Sequence, residues 1–446
     1  MTAASPRAGI LAALFSLASA ASCTPDIGHD PVPEAMEFDT EATPPRVPAP
    51  IGLIVNPATG HIDFGLAGTV LPDKCAEATT VSPAECEFDH YLETLDGFPT
   101  ATPGSAPATA PLDPDTLTFG KNVVVVAARN PAVVPNVALG LDSGARVLTL
   151  APQPSWELGE TYFVGVRGYA SGVRASSGSE VVGSPTMALL KQDSSLTCGA
   201  TSAEAIDPSC PALALLAQSQ TDAAARANAV TLEAIRSSYL AAGVWQRFAA
   251  AGLPKEEIAV AWGFPIQTAS VAELDPTVGH VPVVTAADEI HVAVHGPVDA
   301  TTVSGFIVRK QPGTVILMDL TEAGASNLVA GFPLIDASFS NGEIVIKGSA
   351  PFVPGHDYGV FMTNGLKSPD GAALVPAPIT VLLTLPDPLV DGSGHSSIST
   401  VADTDAVTLE AGRQQLATLF DSLSAITGLS RSNVVYCFAF TLGAPG

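Results

Sequence analysis

Gly159-Glu160-Thr161-Tyr162-Phe163-Val164-Gly165-Val166, followed by Gly172-Val173-Arg174 and Gly178, returns later in the chain as Gly355-His356-Asp357-Tyr358-Gly359-Val360-Phe361-Met362, followed by Gly365-Leu366-Lys367 and Gly371. The common pattern is G-x-x-Y-x-V, a strand entered from a glycine turn, then an apolar–basic pair and a second turn glycine. The flanks repeat in the same order. Upstream, Pro111-Leu112-Asp113-Pro114-Asp115-Thr116-Leu117 corresponds to Pro297-Val298-Asp299-Ala300-Thr301-Thr302-Val303. The run Val123-Val124-Val125-Val126 corresponds to Val315-Ile316-Leu317-Met318, and Val147-Leu148-Thr149 to Ile344-Val345-Ile346. Runs this rich in β-branched and aliphatic residues, between Gly and Pro turns, read as buried strands.

Downstream of each copy the period changes from strand to helix. Between Asp222 and Ala251, residues Leu232, Ile235, Tyr239, Ala242, Trp245 and Ala249 fall on one face at three- and four-residue spacing, with Thr221 or Asp222 as N-cap. Between Ala406 and Thr427, residues Leu409, Leu416, Leu419, Leu423 and Ile426 do the same behind Asp405. Both helices contain Thr-Leu-Glu-Ala, at 231–234 and 408–411, followed by Arg236 and Arg413. Each leads through Gly-Leu to a strand, Ile258 to Phe264 or Val434 to Phe440. So many parts in one order make this an internal duplication. The expected fold is mainly β: two tandem Ig-like β-sandwich units, each followed by an α-helix and a strand. The first spans 51–268 with its helix at 222–251, and the second 269–446 with its helix at 406–427.

Composition agrees with a turn-rich β protein: 39 Gly and 38 Pro in 446 residues, with 47% hydrophobic residues to fill cores. The balance of 44 Asp and Glu against 19 Lys and Arg leaves a net charge of −25. Nucleic acid is excluded as a partner, because no basic stripe is present.

The N-terminus reads as a targeting segment over 1–22. Arg7 precedes the apolar run Gly9 to Ala21, which is too short to span a bilayer. Ala20-Ala21-Ser22-Cys23 resembles a bacterial lipobox, with Ala20 where Leu is usual; lipidation is expected at Cys23. Thr24, a non-acidic second residue, then implies outer-membrane retention. The competing cleavage after Ala18-Ser19-Ala20 would release a periplasmic or secreted protein. Residues 23–50, with Pro25, Pro31, Pro33, Pro44, Pro45, Pro48 and Pro50, are expected to be an extended tether.

Of the six cysteines, Cys75 with Cys86 and Cys198 with Cys210 are expected as local disulfides of an exported chain. The segment from Cys75 to Cys86 reads as a pinned loop. Cys437 is expected as a buried thiol, or as a partner of Cys23 if Cys23 is not lipidated. No metal site is expected: no C-x-x-C is present and no His reads as close to these cysteines. No cofactor is expected either.

Leu95-Asp96-Gly97-Phe98-Pro99-Thr100, the Tyr162 strand, the Leu-Glu-Ala helix and Ile258-Ala259-Val260-Ala261-Trp262-Gly263-Phe264 resemble the N-terminal domain of bacterial virulence-factor lipases. The Pro-apolar-Asp and G-x-x-Y core is similar to bacterial Ig-like domains of the S-layer-associated kind. In those lipases an α/β-hydrolase domain carrying G-x-S-x-G follows; this chain has no G-x-S-x-G. The resemblance therefore implies a non-catalytic, exported cell-envelope lipoprotein with Ig-like modules for surface display or binding. Such modules would be held at the membrane by the N-terminal lipid and meet envelope polysaccharide, lipid or protein. The alternative is a lipase or esterase relative that acts with a separate hydrolase domain; a pure spacer is the third reading.

The remaining chemical candidates read as structural. Gly392-Ser393-Gly394-His395-Ser396 is expected as a flexible loop rather than a Ser–His pair. His291 and His295 share one strand face roughly 13 Å apart, too far for one ion. Asp387, Asp391, Asp403 and Asp405 read as turn and cap residues rather than calcium ligands. Tyr162 and Tyr358 read as tyrosines at a sandwich corner.

Overall fold

The computed structural model describes residues 33–40, 42, 45–67, 69–130, 136–216, 221–272, 289–305, 313–324, 333–427 and 429–442. The strands are β1 (Glu34–Met36), β2 (Gly104–Pro107), β3 (Val123–Ala127), β4 (Asn136–Leu141), β5 (Val147–Gln153), β6 (Thr161–Arg167), β7 (Val181–Gly183) and β8 (Ile258–Pro265), then β9 (Val271–Ala272), β10 (Ile290–His295), β11 (Val315–Asp319), β12 (Ile335–Ser340), β13 (Glu343–Gly348), β14 (Asp357–Thr363), β15 (Val375–Pro376) and β16 (Val434–Thr441). The helices are α1 (Pro83–Glu93), α2 (Pro185–Leu190), α3 (Pro211–Leu216), α4 (Asp222–Ala241), α5 (Val244–Ala250), α6 (Leu320–Gly324), α7 (Pro378–Thr384) and α8 (Asp403–Thr427).

The fold is two β-sandwiches, as the duplication predicts. In the first, the antiparallel sheet β3-β6-β8 faces β2-β5-β4; in the second, β11-β14-β16 faces β12-β13-β10-β9-β15. The apolar runs lack alternation because both faces of the three-stranded sheets are covered. Along β11, Val315 and Leu317 enter the sandwich core. Ile316 and Met318 face the opposite way, against Leu416 and Phe420 of α8. In the first unit α4 and α5 provide the same cover, with Phe163 packed edge-on to Tyr239 at 6.1 Å. Continuous apolar strands need a helix on one side and a sheet on the other.

The single expected helix over 222–251 is two. Thr221 caps α4, accepting from Ala224 N. Gly243, at φ 62°, then turns the chain so that Val244, Trp245 and Phe248 of α5 reach the core; Ala249 is exposed. Asp405, expected as the cap of α8, lies inside its first turn, and the helix begins at Asp403. Leu416 is buried and Leu409 partly so; the side chains of Leu419, Leu423 and Ile426 lie outside those described.

The expected tether over 23–50 is corrected from residue 34 onward. β1 pairs in parallel with β7, and Glu37 N donates to Pro107 O at 2.8 Å. Met36 and Phe38 are fully buried, and Ala49 bridges to Ser105. The alternation Met36-Glu37-Phe38, apolar in and charged out, marked this strand beneath the proline content. In the second unit β9 takes the equivalent place, pairing with β10 and β15.

The expected pinned loop over 75–86 is also corrected in part. Cys75 opens a single 3-10 turn, but Cys86 stands in helix α1, which Ser82 caps by accepting from Glu85 N. This helix belongs to a strap, 51–98, that crosses to the second unit. Ala84 and Phe88 pack with Val381, Leu382, Leu385, Leu389 and Ile398. Tyr91 donates to Pro376 O at 2.7 Å and Ser82 Oγ to Ser397 O at 2.6 Å. The strap ends in Leu95-Asp96-Gly97-Phe98, which holds the segment joining the two units. Asp96 accepts from Thr268 N at 2.9 Å, and beside Gly97 Phe98 N donates to Pro265 O at 2.9 Å while Phe98 O accepts from Gln267 N at 3.0 Å. A Cβ on Gly97 would lie 2.6 Å from Ile266 C and 2.7 Å from Gln267 N, both backbone atoms that cannot yield. Gly97→Ala is therefore expected to destabilise by about 1–3 kcal/mol or more. Hydrogen exchange should show it first in 92–99 and 264–270; unchanged protection there would contradict this close approach.

Candidate functional site

The repeated motif residues form two structural devices, each present in both units. The first is a tyrosine corner. Tyr162 OH accepts from Glu157 N at 3.1 Å, and Tyr358 OH accepts from Val353 N at 2.8 Å, five residues back in each case. Trp156 lies 4.6 Å from the Tyr162 ring and Phe352 lies 5.5 Å from that of Tyr358. Gly159 and Gly355, at φ 66° and 83°, make the left-handed turn that brings each tyrosine hydroxyl back to its backbone N–H donor. Both tyrosines thus serve packing, as expected.

The second device explains Thr-Leu-Glu-Ala-x-Arg. Glu410 and Arg413, one helical turn apart and 8% and 9% exposed, form a bidentate pair, with Arg413 Nη2 2.8 Å from Glu410 Oε1. Arg413 also donates to Leu385 O at 3.2 Å and Pro386 O at 3.0 Å, and Glu410 accepts from Leu389 N at 2.9 Å. Glu233 and Arg236 repeat this arrangement on Gln192 O, Asp193 O and Leu196 N. Each pair clamps the loop that leaves the preceding short helix, α2 or α7. Arg413 holds the Glu410 carboxyl at about 2, with the bonds from Leu389 N and Gln414 adding to it against burial.

The chemical candidates are engaged in local structure. Asp391 accepts from Ser393 N at 2.8 Å and His395 N at 2.9 Å, and Asp403 accepts from Ser396 N at 2.8 Å and faces His395 Nδ1 at 3.0 Å. The Gly/Ser loop is thus tied down rather than flexible. Ser396 Oγ donates to Ile398 O, not to His395. Bonding to Asp403 raises the His395 pKa above its ordinary value, and bonding to His395 lowers that of Asp403. On β10, His291 pairs with Glu343 at 2.8 Å, whereas His295 lies 3.4 Å from Ser155 Oγ of the first unit. The structure does not bring the two histidines together.

Both expected disulfides are present, Cys75–Cys86 and Cys198–Cys210. Cys437 is a free thiol, 1% exposed, beneath α8, and burial pushes its pKa up to about 12. Cys23 lies outside the described residues. The reading that no His stands near these cysteines is corrected. His90, one turn beyond Cys86 on α1, has a ring nitrogen within 4.8 Å of both Cys75 and Cys86 sulfurs. The i, i+4 spacing was its signal.

An apolar cavity of about 330 Å³ lies between α4 and the β6–β8 edge, lined by Ile51, Leu53, Phe163, Ile235, Tyr239 and Phe264. Thr161, Ser238 and Tyr239 are its polar lining residues, and Tyr239 OH donates to Ala261 O at 3.1 Å. No helix among the described residues is long and apolar enough to cross a membrane.

The fold defines a tandem β-sandwich protein with helical cover and a strap across the two units. No family model matches the chain, and no curated protein matches it. Among solved structures it is similar to domains 1–6 of surface layer protein SbsC, at 19% identity over 18% of this chain and 11% of that one, TM-score 0.15. It is also similar to the N-terminal part of the bacterial S-layer protein SbsC, at 18% identity over 18% of this chain and 19% of that one, TM-score 0.16. The third is the S-layer protein rSbsC(31-844), at 16% identity over 27% and 18%, TM-score 0.16. The chain spans less than a fifth of each of these proteins, and likeness at this level carries no argument about function.

Proposed function

We propose that this protein is an exported cell-envelope lipoprotein whose two sandwich modules serve surface display or binding without catalysis. The observation that carries this reading is the sorting of the cysteines. Four are paired locally and Cys437 is sealed under α8, which leaves Cys23, directly behind the apolar run, for lipid. The alternative Cys23–Cys437 bridge would require opening the α8–sheet interface. Disulfide pairing suits an oxidising compartment. The residue pairs that invite a hydrolase reading, His395 with its neighbouring serines above all, are engaged in loop and cap contacts instead.

The test is the intact mass of protein recovered from membranes of its native host, beside a Cys23→Ala variant. A diacylglycerol-plus-acyl increment on Cys23, lost in the variant together with membrane retention, is the expected result. An unmodified N-terminus at Ala21 would overturn lipid anchoring. Hydrolysis of a chromogenic ester by the pure protein would instead favour the lipase-related reading.

A further inference from the structure

Cys86 and His90 share one face of α1, and Cys75 is brought to them by the 3-10 turn. The two sulfurs and a His90 ring nitrogen all lie within 4.8 Å of one another, and Cys86 is fully buried. Both His90 nitrogens face acceptors: Nδ1 lies 3.3 Å from a Glu93 carboxylate oxygen and Nε2 lies 3.0 Å from Pro72 O. A neutral imidazole has one N–H. That N–H can serve Pro72 O or Glu93; turned to Glu93, it frees Nε2 as a ligand atom on the side where Cys86 Sγ lies 3.9 Å from Pro72 O. A carboxylate on the far nitrogen is the outer-shell partner that orients a metal-bound histidine. Two thiolates and an imidazole are the donor set of a thiophilic d¹⁰ ion.

We infer that, whenever the Cys75–Cys86 disulfide is open, Cys75, Cys86 and His90 form a zinc site, so that disulfide and metal are alternative pins for the strap that joins the two units. Opening the disulfide takes two electrons. A phosphine reductant supplies them with water, giving two thiols and the phosphine oxide; a small thiol does the same and leaves as its own disulfide. Zinc then forms two Zn–S bonds, releases the two thiol protons to solvent and takes the neutral lone pair of His90. Pro72 O or water completes the tetrahedron.

The test uses the full chain, reduced under anaerobic conditions and titrated with Co²⁺ as the spectroscopic stand-in for zinc. One equivalent should bind with thiolate-to-cobalt charge-transfer absorption. That absorption should be absent from oxidised protein and from Cys75→Ser/Cys86→Ser, and unchanged in Cys198→Ser/Cys210→Ser. His90→Ala should weaken binding at least tenfold. His90 is partly exposed, so this variant should keep its far-ultraviolet dichroism and still form the disulfide when oxidised. A second readout is local: Zn²⁺ should slow alkylation of Cys75 and Cys86, mapped by peptide mass. Absence of stoichiometric binding, binding that survives loss of both cysteines or is indifferent to His90→Ala, or unprotected alkylation would each overturn the site.

Discussion

Arg413→Met is expected to destabilise the second unit by about 3–5 kcal/mol at neutral pH, the range for removing one partner of a buried pair. The guanidinium bonds both oxygens of Glu410 and also satisfies Leu385 O and Pro386 O. Its loss leaves a carboxylate that is 8% exposed without its counter-ion, Pro386 O without this donor, and Leu385 O with only the 3.5 Å bond from Arg431 among these side chains. The effect should shrink in acid. In the native protein the Glu410 pKa is held down from 4.5 to about 2, chiefly by Arg413. A depressed folded-state pKa contributes stability that is present above the unfolded value and lost as pH falls through the folded one. The native protein therefore loses this contribution between about pH 4.5 and pH 2, whereas the variant, lacking it, can neutralise Glu410 by protonation. Urea unfolding midpoints at pH 7 and pH 3 check this. A gap between native and variant that stays constant with pH would show that Glu410 is not the group left stranded. Arg236→Met should cost less, because Glu233 is 19% exposed and water can solvate what Arg236 leaves.

Trp156→Ala should cost the first unit about 3–5 kcal/mol, the range for deleting a buried aromatic side chain. Trp156 is fully buried, 4.6 Å from Tyr162 and 5.4 Å edge-on to Phe264 by ring centroids, and its Nε1 donates to Thr102 O at 2.8 Å. The second copy supplies the control. Phe352 fills the same place beside Tyr358, so Trp156→Phe should be much milder, losing the bond to Thr102 and part of the volume. Denaturant unfolding followed by near-ultraviolet dichroism separates them. If Ala and Phe lie within about 0.5 kcal/mol of each other, the corner does not depend on the aromatic and this account of it fails.

Which parts were legible in the sequence follows from contact range. The tyrosine corners could be read because Tyr162 and Tyr358 meet backbone five residues away, inside one motif. The two disulfides could be read because each joins cysteines 11 or 12 residues apart. Thr-Leu-Glu-Ala-x-Arg was visible as a repeat, but its role was not, since the carbonyls that Arg413 holds belong to 385 and 386, far back in the chain. His90 stood one helical turn from Cys86, yet the segment read as a loop, and without a helix that spacing has no meaning.

The sequence by itself determined the duplication, the main buried strands and the alternation of strand with helix, because these rest on hydrophobic period and on turns that a few neighbouring residues specify. Only the tertiary structure decided that the proline-rich stretch supplies an edge strand, and that 51–98 straps one unit to the other. Met36 becomes core only when Gly183 and Ala108 lie beside it, and Phe88 only when Leu385 and Ile398 close over it. Burial of those side chains is a property of surfaces that meet across long stretches of chain, and no local pattern of residues carries it.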